Sequence, residues 1–192
     1  MPLSVTSRPT PSYRRVMIFI DGGYLREYLK RKFGNDTFSL NGFQDLVYYL
    51  IQCVKYGRIE GELIRTYYYD AIVDETEKDK RQAQKNFFST LSRAPFCTVR
   101  LGRLIKTKGG YRQKGVDILM AIDMLTKAYE NHYEIAILVA GDGDFVDLVE
   151  AVKDTGKRVY GAYIPNNISD KLMECFDVAI TLPENILKGL IT

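Results

Sequence analysis

His132 is the only histidine among 192 residues, and that scarcity removes two large classes of chemistry. A Ser/His/Asp triad and a histidine-rich zinc site both need imidazole at the reacting centre. His132 is instead expected at a helix end or in a loop, where a cation is tolerated. Cys53, Cys97 and Cys175 are odd in number, far apart and in no CxxC spacing. That pattern excludes a disulfide framework and a zinc knuckle, and it makes a reducing cytoplasm the simplest setting. Tryptophan is absent, and no apolar run reaches the roughly 18 residues of a membrane span, so no membrane partner is expected. Met1 to Arg15 carries Pro2, Pro9 and Pro11 but no apolar core, so residues 1–14 read as a flexible tail and not as a secretory signal. There is no internal repeat, no low-complexity tract and no match to the glycine fingerprint of nucleotide binding.

What is present suits one soluble domain. Apolar residues make up 46% and charged residues 27%, which is enough to bury a core without staples, and residues 15–192 read as a single domain. The net charge of +3 is small beside the 27 basic and 24 acidic residues behind it, so local clustering matters more than the total.

Val16 to Ile20 is a short apolar run closed by Asp21-Gly22-Gly23, and Tyr24 to Lys32 follows with helical spacing. Phe43 to Val54 reads as a helix and Leu63 to Tyr69 as a strand ending at Asp70. Asp74 to Arg93 reads as a solvent-facing helix and Thr98 to Ile105 as a strand. Val116 to Tyr129 is apolar nearly all round, which predicts a buried helix. Strand 135–140, helix Phe145 to Val152, strand Arg158 to Tyr163, helix Ser169 to Cys175 and strand Val178 to Leu182 complete the chain. Strands alternating with helices imply βαβ units, hence an α/β fold with three layers, α/β/α, around a mainly parallel sheet.

The run Ile135 to Ala140 ends abruptly in Gly141-Asp142-Gly143-Asp144. A buried strand of a parallel sheet delivers such acids to its carboxyl end, where ligands bind in open α/β sheets. Asp21, Asp70 and Asp117 also fall at strand ends or helix starts. If the strands of Asp21 and Asp142 are neighbours, their ends lie about 4.8 Å apart, close enough to share a cation. Clustered carboxylates cannot all ionise unless a divalent ion neutralises them, and oxygen ligands suit Mg²⁺ or Mn²⁺. The flanking glycines let backbone approach an ion or a phosphate closely. A metal held this way activates water and stabilises charge on a phosphodiester, which is the chemistry of nucleic acid hydrolysis. Just before Asp117, the stretch Lys106 to Lys114 is glycine-rich and basic, so Lys108, Arg112 and Lys114 offer phosphate contacts and Tyr111 a stacking face.

Each piece has a plainer reading. Asp117 or Asp144 alone suits a helix cap, and the basic stretch alone a solvated hairpin tip. Asp70 suits either a turn former or an acid behind the ligands. Asp123 lies six residues, roughly 240°, round the helix from Asp117, so a structural hydrogen-bonding role is favoured. Phe33, Phe38, Phe43, Tyr48 and Tyr49 offer a homodimer surface, or core at helical spacing.

In this order these residues resemble the NYN domain family of the PIN-like nuclease superfamily, most closely its LabA-like branch. The likeness rests on Val16 to Gly22, Tyr67 to Ala71, Lys114-Gly115-Val116-Asp117 with Asp123, Gly141 to Phe145, Gly156 to Val159 and Leu172 to Asp177, and spans roughly residues 15–182. It implies a PIN-like (Rossmannoid) fold, divalent-metal-dependent ribonuclease activity, and metal ligands at Asp21, Asp117, Asp142 and Asp144. Tyr24 stands where many members have asparagine, and Ala140 where serine is common; neither removes a carboxylate. The expectation is an RNA-cleaving hydrolase in which Asp21, Asp117 and Asp142 hold Mg²⁺ or Mn²⁺ and Asp144 completes the set or orients water. Two rivals stay open: a non-catalytic module that binds RNA or another partner, and another metal-dependent phosphoryl hydrolase.

Overall fold

Seven strands form one sheet in the order β4-β3-β2-β1-β5-β6-β7. Their ranges are β1 Ser12–Asp21, β2 Ile59–Val73, β3 Cys97–Thr107, β4 Gly110–Lys114, β5 Ile135–Val139, β6 Arg158–Tyr163 and β7 Val178–Thr181. The computed structural model describes residues 12–55, 59–73, 77–107 and 110–191. Six strands run parallel, and β4 lies antiparallel to β3 at one edge.

Alternation along the strands separates two cores. Val16, Ile18 and Ile20 of β1 pack with Ile135, Ile137 and Val139 of β5 beneath α1 (Gly22–Phe33), α2 (Leu40–Gln52), α3 (Lys78–Leu91) and α7 (Glu184–Gly189). Met17 and Phe19, with Ala136 and Leu138, face α4 (Val116–Tyr129), α5 (Val146–Asp154) and α6 (Asp170–Cys175). This is the three-layer α/β/α fold that the run-and-helix alternation predicts. Each fully buried Leu, Ile or Phe contributes about 2 kcal/mol, so the central strands carry much of the stability.

Local signals set the helix ends. Asp21 caps α1, and Gly34, at φ 75°, ends it with its N–H on the Lys30 carbonyl. Lys30, Arg31 and Lys32 fill the last turn, where cations suit the helix dipole. Ser39 caps α2 by accepting from the Gly42 N–H at 3.0 Å.

Several expectations are corrected. β1 starts at Ser12, so Ser12 to Arg14 belong to the sheet and not to a tail; residues 1–11 lie outside the described residues. The third helix starts at Lys78, and residues 74–76 also lie outside the description. The basic stretch pairs as a strand, Leu104 opposite Gln113, so among the described residues it is the arm of a hairpin. α4 is not buried all round: Ile118, Ile122 and Tyr129 are 66%, 58% and 74% exposed, because the helix packs through one face, with Val116, Met120, Met124 and Ala128 buried and Ala121 and Leu125 partly so. Phe38 and Phe43 are core and cannot form a dimer surface. Among the described residues no helix is long and apolar enough to cross a membrane.

Candidate active site

The chain runs from β1 to β2 and β3 on one side, and from β5 to β6 and β7 on the other. The sheet therefore reverses its order between β1 and β5, and a crevice opens at the carboxyl ends of such a pair. Ile20 pairs with Val139 there. The next residues are Asp21 on one strand and Ala140-Gly141-Asp142 on the other. The neighbour relationship expected of Asp21 and Asp142 is thus built into the sheet register.

Asp21 is half-buried, and one oxygen accepts from the Tyr24 N–H at 3.1 Å. Burial pushes its carboxyl up to about 7; the nearby charges of Asp117 and Asp70 push the same way, against the N–H groups of Tyr24 and Gly23. Asp117 is the second residue of α4, whose cap is Gly115 at φ 83° and not Asp117 itself. Its carboxyl is also raised, by burial first and then by Asp142 and Asp144. The field of each acid thus reaches another, which places Asp21, Asp117, Asp142 and Asp144 around one crevice. Among the described residues, however, no three His, Cys, Asp or Glu side chains stand close enough to hold one ion between them.

Local geometry explains why the acids stand apart. Asp142 caps the single 3₁₀ turn Gly143–Phe145, one oxygen accepting from the Asp144 N–H at 3.0 Å. The turn leaves Asp144 exposed. Capping here belongs to Asp21 and Asp142, and not to Asp117 or Asp144. Gly141 is held hard: a Cβ there would lie 2.4 Å from both the Asn167 carbonyl oxygen and the Tyr24 ring.

Asp70 lies behind Asp21 and is buried, accepting from the Ala71 N–H at 2.7 Å, the Tyr68 hydroxyl at 2.9 Å and Arg26 Nη1 at 3.1 Å. Its charge is matched by Arg26, which leaves it no free side toward a ligand. Asp123 is likewise satisfied, by the Tyr69 hydroxyl at 3.0 Å, Lys127 Nζ at 2.8 Å and Arg100 Nε at 3.3 Å. Lys114 is exposed at the end of β4, and the antiparallel pairing sets it opposite Arg103, which is also exposed. Pairing across strands supplies that second cation, so sequence spacing alone could not find it. Lys108 and the side chain of Arg112 lie outside the described residues.

Sequence reasoning also missed a cavity of about 350 Å³ beside Asp142, lined by Tyr24, Glu27, Tyr28, Arg31, Gly141, Asn167 and Ile168. The signal was available in part. Residues 24, 27, 28 and 31 fall on one helical face, and that face is polar and aromatic. Asn167 comes from the segment between β6 and α6 and has no such signal.

A sequence model of the NYN domain matches residues 15–183. The curated proteins contain no match to the chain. Among similar solved structures is that of a protein of unknown function from Vibrio parahaemolyticus, 20% identical, covering 94% of this chain and 98% of that one at a TM-score of 0.65. At that identity the likeness speaks to fold alone, and it agrees with the three-layer sheet.

Proposed function

The chain belongs to the NYN domain family of the PIN-like nuclease superfamily, and from that premise we propose that it hydrolyses RNA phosphodiester bonds with Mg²⁺ or Mn²⁺ held by Asp21, Asp117, Asp142 and Asp144. The observation that carries this reading is the placement of Asp21 and Asp142 at the ends of adjacent strands, where the sheet reverses order. Placement in the LabA-like branch is part of the same proposal and rests on the residues Lys114 to Asp117 and Gly141 to Phe145.

The donor set suits a hard divalent ion. Its groups are carboxylates, and the carboxyls of Asp21 and Asp117 are both raised, by burial first and then by the charges of neighbouring acids, so that ionising them carries a cost that a cation relieves. Mg²⁺ keeps several waters and takes one or two carboxylates plus substrate phosphate, so a site without a closed protein cage fits it. When bound, the ion supplies Lewis-acid stabilisation of phosphate charge and makes water a better nucleophile. Asp144, exposed at the 3₁₀ turn, orients the attacking water. Lys114 and Arg103, with Lys108 and Arg112, hold the phosphate backbone through charge.

The test is cleavage of a fluorescent single-stranded RNA by wild type and Asp142→Asn, with Mn²⁺, Mg²⁺ or EDTA. Metal-dependent cleavage lost in the variant is expected; no cleavage under any condition overturns the reading. The spacing of the acids favours a module that binds RNA without turnover as the second reading. Salt-dependent RNA binding with no cleavage and no metal affinity selects it.

A further inference from the structure

The crevice of acids is a poor place to hold RNA by charge alone, and the cavity next to it has a different chemistry. The face of α1 that carries Tyr24, Glu27, Tyr28 and Arg31 forms one wall, and Gly141, Asp142, Asn167 and Ile168 form the other. At about 350 Å³ it sits near the lower end of the about 300–1,000 Å³ typical of small-molecule sites, a size that admits one nucleotide unit and not a duplex.

Its walls are braced. The Tyr28 ring meets Phe33 edge-on, with centroids 6.5 Å apart at 81°, so its plane is set from within the helix. The Arg31 guanidinium lies 5.8 Å from the Tyr28 centroid, and Nη2 donates to Asn167 Oδ1 at 3.2 Å. The Tyr24 hydroxyl is anchored by the Ile164 N–H at 2.8 Å. An aromatic ring with a guanidinium over it, both braced from behind, is a stacking platform for an unpaired base. Arg31 is also the one cation among the lining residues, which include the acids Glu27 and Asp142.

We propose that this cavity takes one unstacked nucleobase of a bound single-stranded RNA, next to the scissile phosphate, and reads it through the Glu27 carboxylate. The inference rests on the RNA reading above and adds a base preference to it. Stacking tolerates every base, so discrimination falls to the edge groups. Glu27 is exposed on the cavity rim and is acceptor-only when ionised. Guanine offers it two parallel donors, N1–H and the N2 amino group, to match its two oxygens. Cytosine and adenine offer one amino group each. Uracil flanks its single N3–H with two carbonyl oxygens, which a carboxylate repels. The order is guanine first and uracil last.

The experiment is fluorescence anisotropy with pentauridine and its three variants at the central base, in magnesium buffer, on the full chain carrying Asp117→Asn to block turnover. Cleavage by wild type is measured alongside. Central guanine binds at least tenfold tighter than central uracil, and adding Glu27→Gln reduces that ratio below threefold. Adding Tyr28→Ala weakens all four RNAs by about tenfold together; should that variant fail to fold, the exposed Glu27 change still decides the matter. Equal affinity for all four bases, or a preference that Glu27→Gln leaves intact, overturns the proposal. Base-selective binding removed by Glu27→Gln, without cleavage by wild type, upholds the cavity and overturns hydrolysis. Cleavage without base preference does the reverse.

Discussion

The hydroxyl of Tyr24 accepts a hydrogen bond from the backbone N–H of Ile164 at 2.8 Å, which ties the first turn of α1 to the end of β6 across the mouth of the crevice. Burial pushes the phenol up to about 12, so it stays neutral. The first turn of α1 therefore carries a brace. Tyr24→Phe keeps the ring and removes the acceptor, leaving the Ile164 N–H unpaired at a cost of about 1–2 kcal/mol. Thermal unfolding of the variant should show a Tm lower by several degrees, with metal-dependent cleavage retained. An unchanged Tm rules out the brace.

Gly141 tests how closely that brace and Asp142 are coupled. A methyl at this position must displace both the Tyr24 ring and the Asn167 carbonyl, each at 2.4 Å, and the carbonyl belongs to backbone that cannot swing aside. Gly141→Ala should lower Tm more than Tyr24→Phe does. It should also cut RNA cleavage at least tenfold, although every carboxylate is still present. Activity at the wild-type level would mean that Asp142 is not held by this packing.

Asp21 predicts a particular pH dependence. Its folded carboxyl titrates near 7 instead of near 3.8, so the folded state binds a proton that the unfolded chain has released. The stabilisation from that proton is full below about pH 4 and is lost as pH rises through about 7. Asp21→Asn mimics the neutral acid and lacks this dependence. Its Tm should exceed that of wild type by several degrees at pH 8 and match it within about a degree at pH 4, measured without added divalent ion. A variant less stable than wild type at pH 8 contradicts the assignment.

The strand runs and the acids at their ends were legible because a parallel sheet imposes both: burial on two faces forces unbroken apolar runs, and the register then aligns their ends. Arg158–Tyr163 matches its predicted bounds for that reason. α4's exposure was not legible, because Ile118, Ile122 and Tyr129 look like core to any pattern that cannot see that α4 has neighbours on one side only. The strand Gly110–Lys114 was hidden by its glycine and charge, which an exposed edge strand tolerates. The cavity at Tyr28 and Arg31 depends on Asn167, more than 130 residues away in the chain, and no local spacing reports such a contact.

Asp123 separates structural acids from ligands. Three partners, Tyr69, Lys127 and Arg100, converge on it, and Lys127 also sits 4.7 Å from the Tyr67 ring. Asp123→Ala leaves Lys127 half-buried without its anion, a loss of about 2 kcal/mol that should appear as a drop in Tm. The increase in Tm on adding Mn²⁺ should match that of wild type, whereas Asp142→Asn should reduce it. Loss of the Mn²⁺ response in Asp123→Ala would make Asp123 a ligand after all.

The cations opposite one another on the hairpin make a prediction that separates electrostatic holding from base reading. Arg103 and Lys114 face each other across β3 and β4, both exposed, and Lys114 lies three residues before Asp117. Contacts of this kind act on phosphate charge, so they strengthen binding to every sequence equally and release counterions. Lys114→Ala and Arg103→Ala should each weaken RNA binding by a similar factor for all sequences and lower the slope of log K against log[salt] by about 0.7, the value expected per phosphate contact on a single strand. The double variant should lose about twice that slope, because neither contact depends on the other. Titrations at four or more salt concentrations measure it. A slope that does not change would place the RNA elsewhere on the surface, and a loss confined to some sequences would move these residues from backbone holding to base recognition.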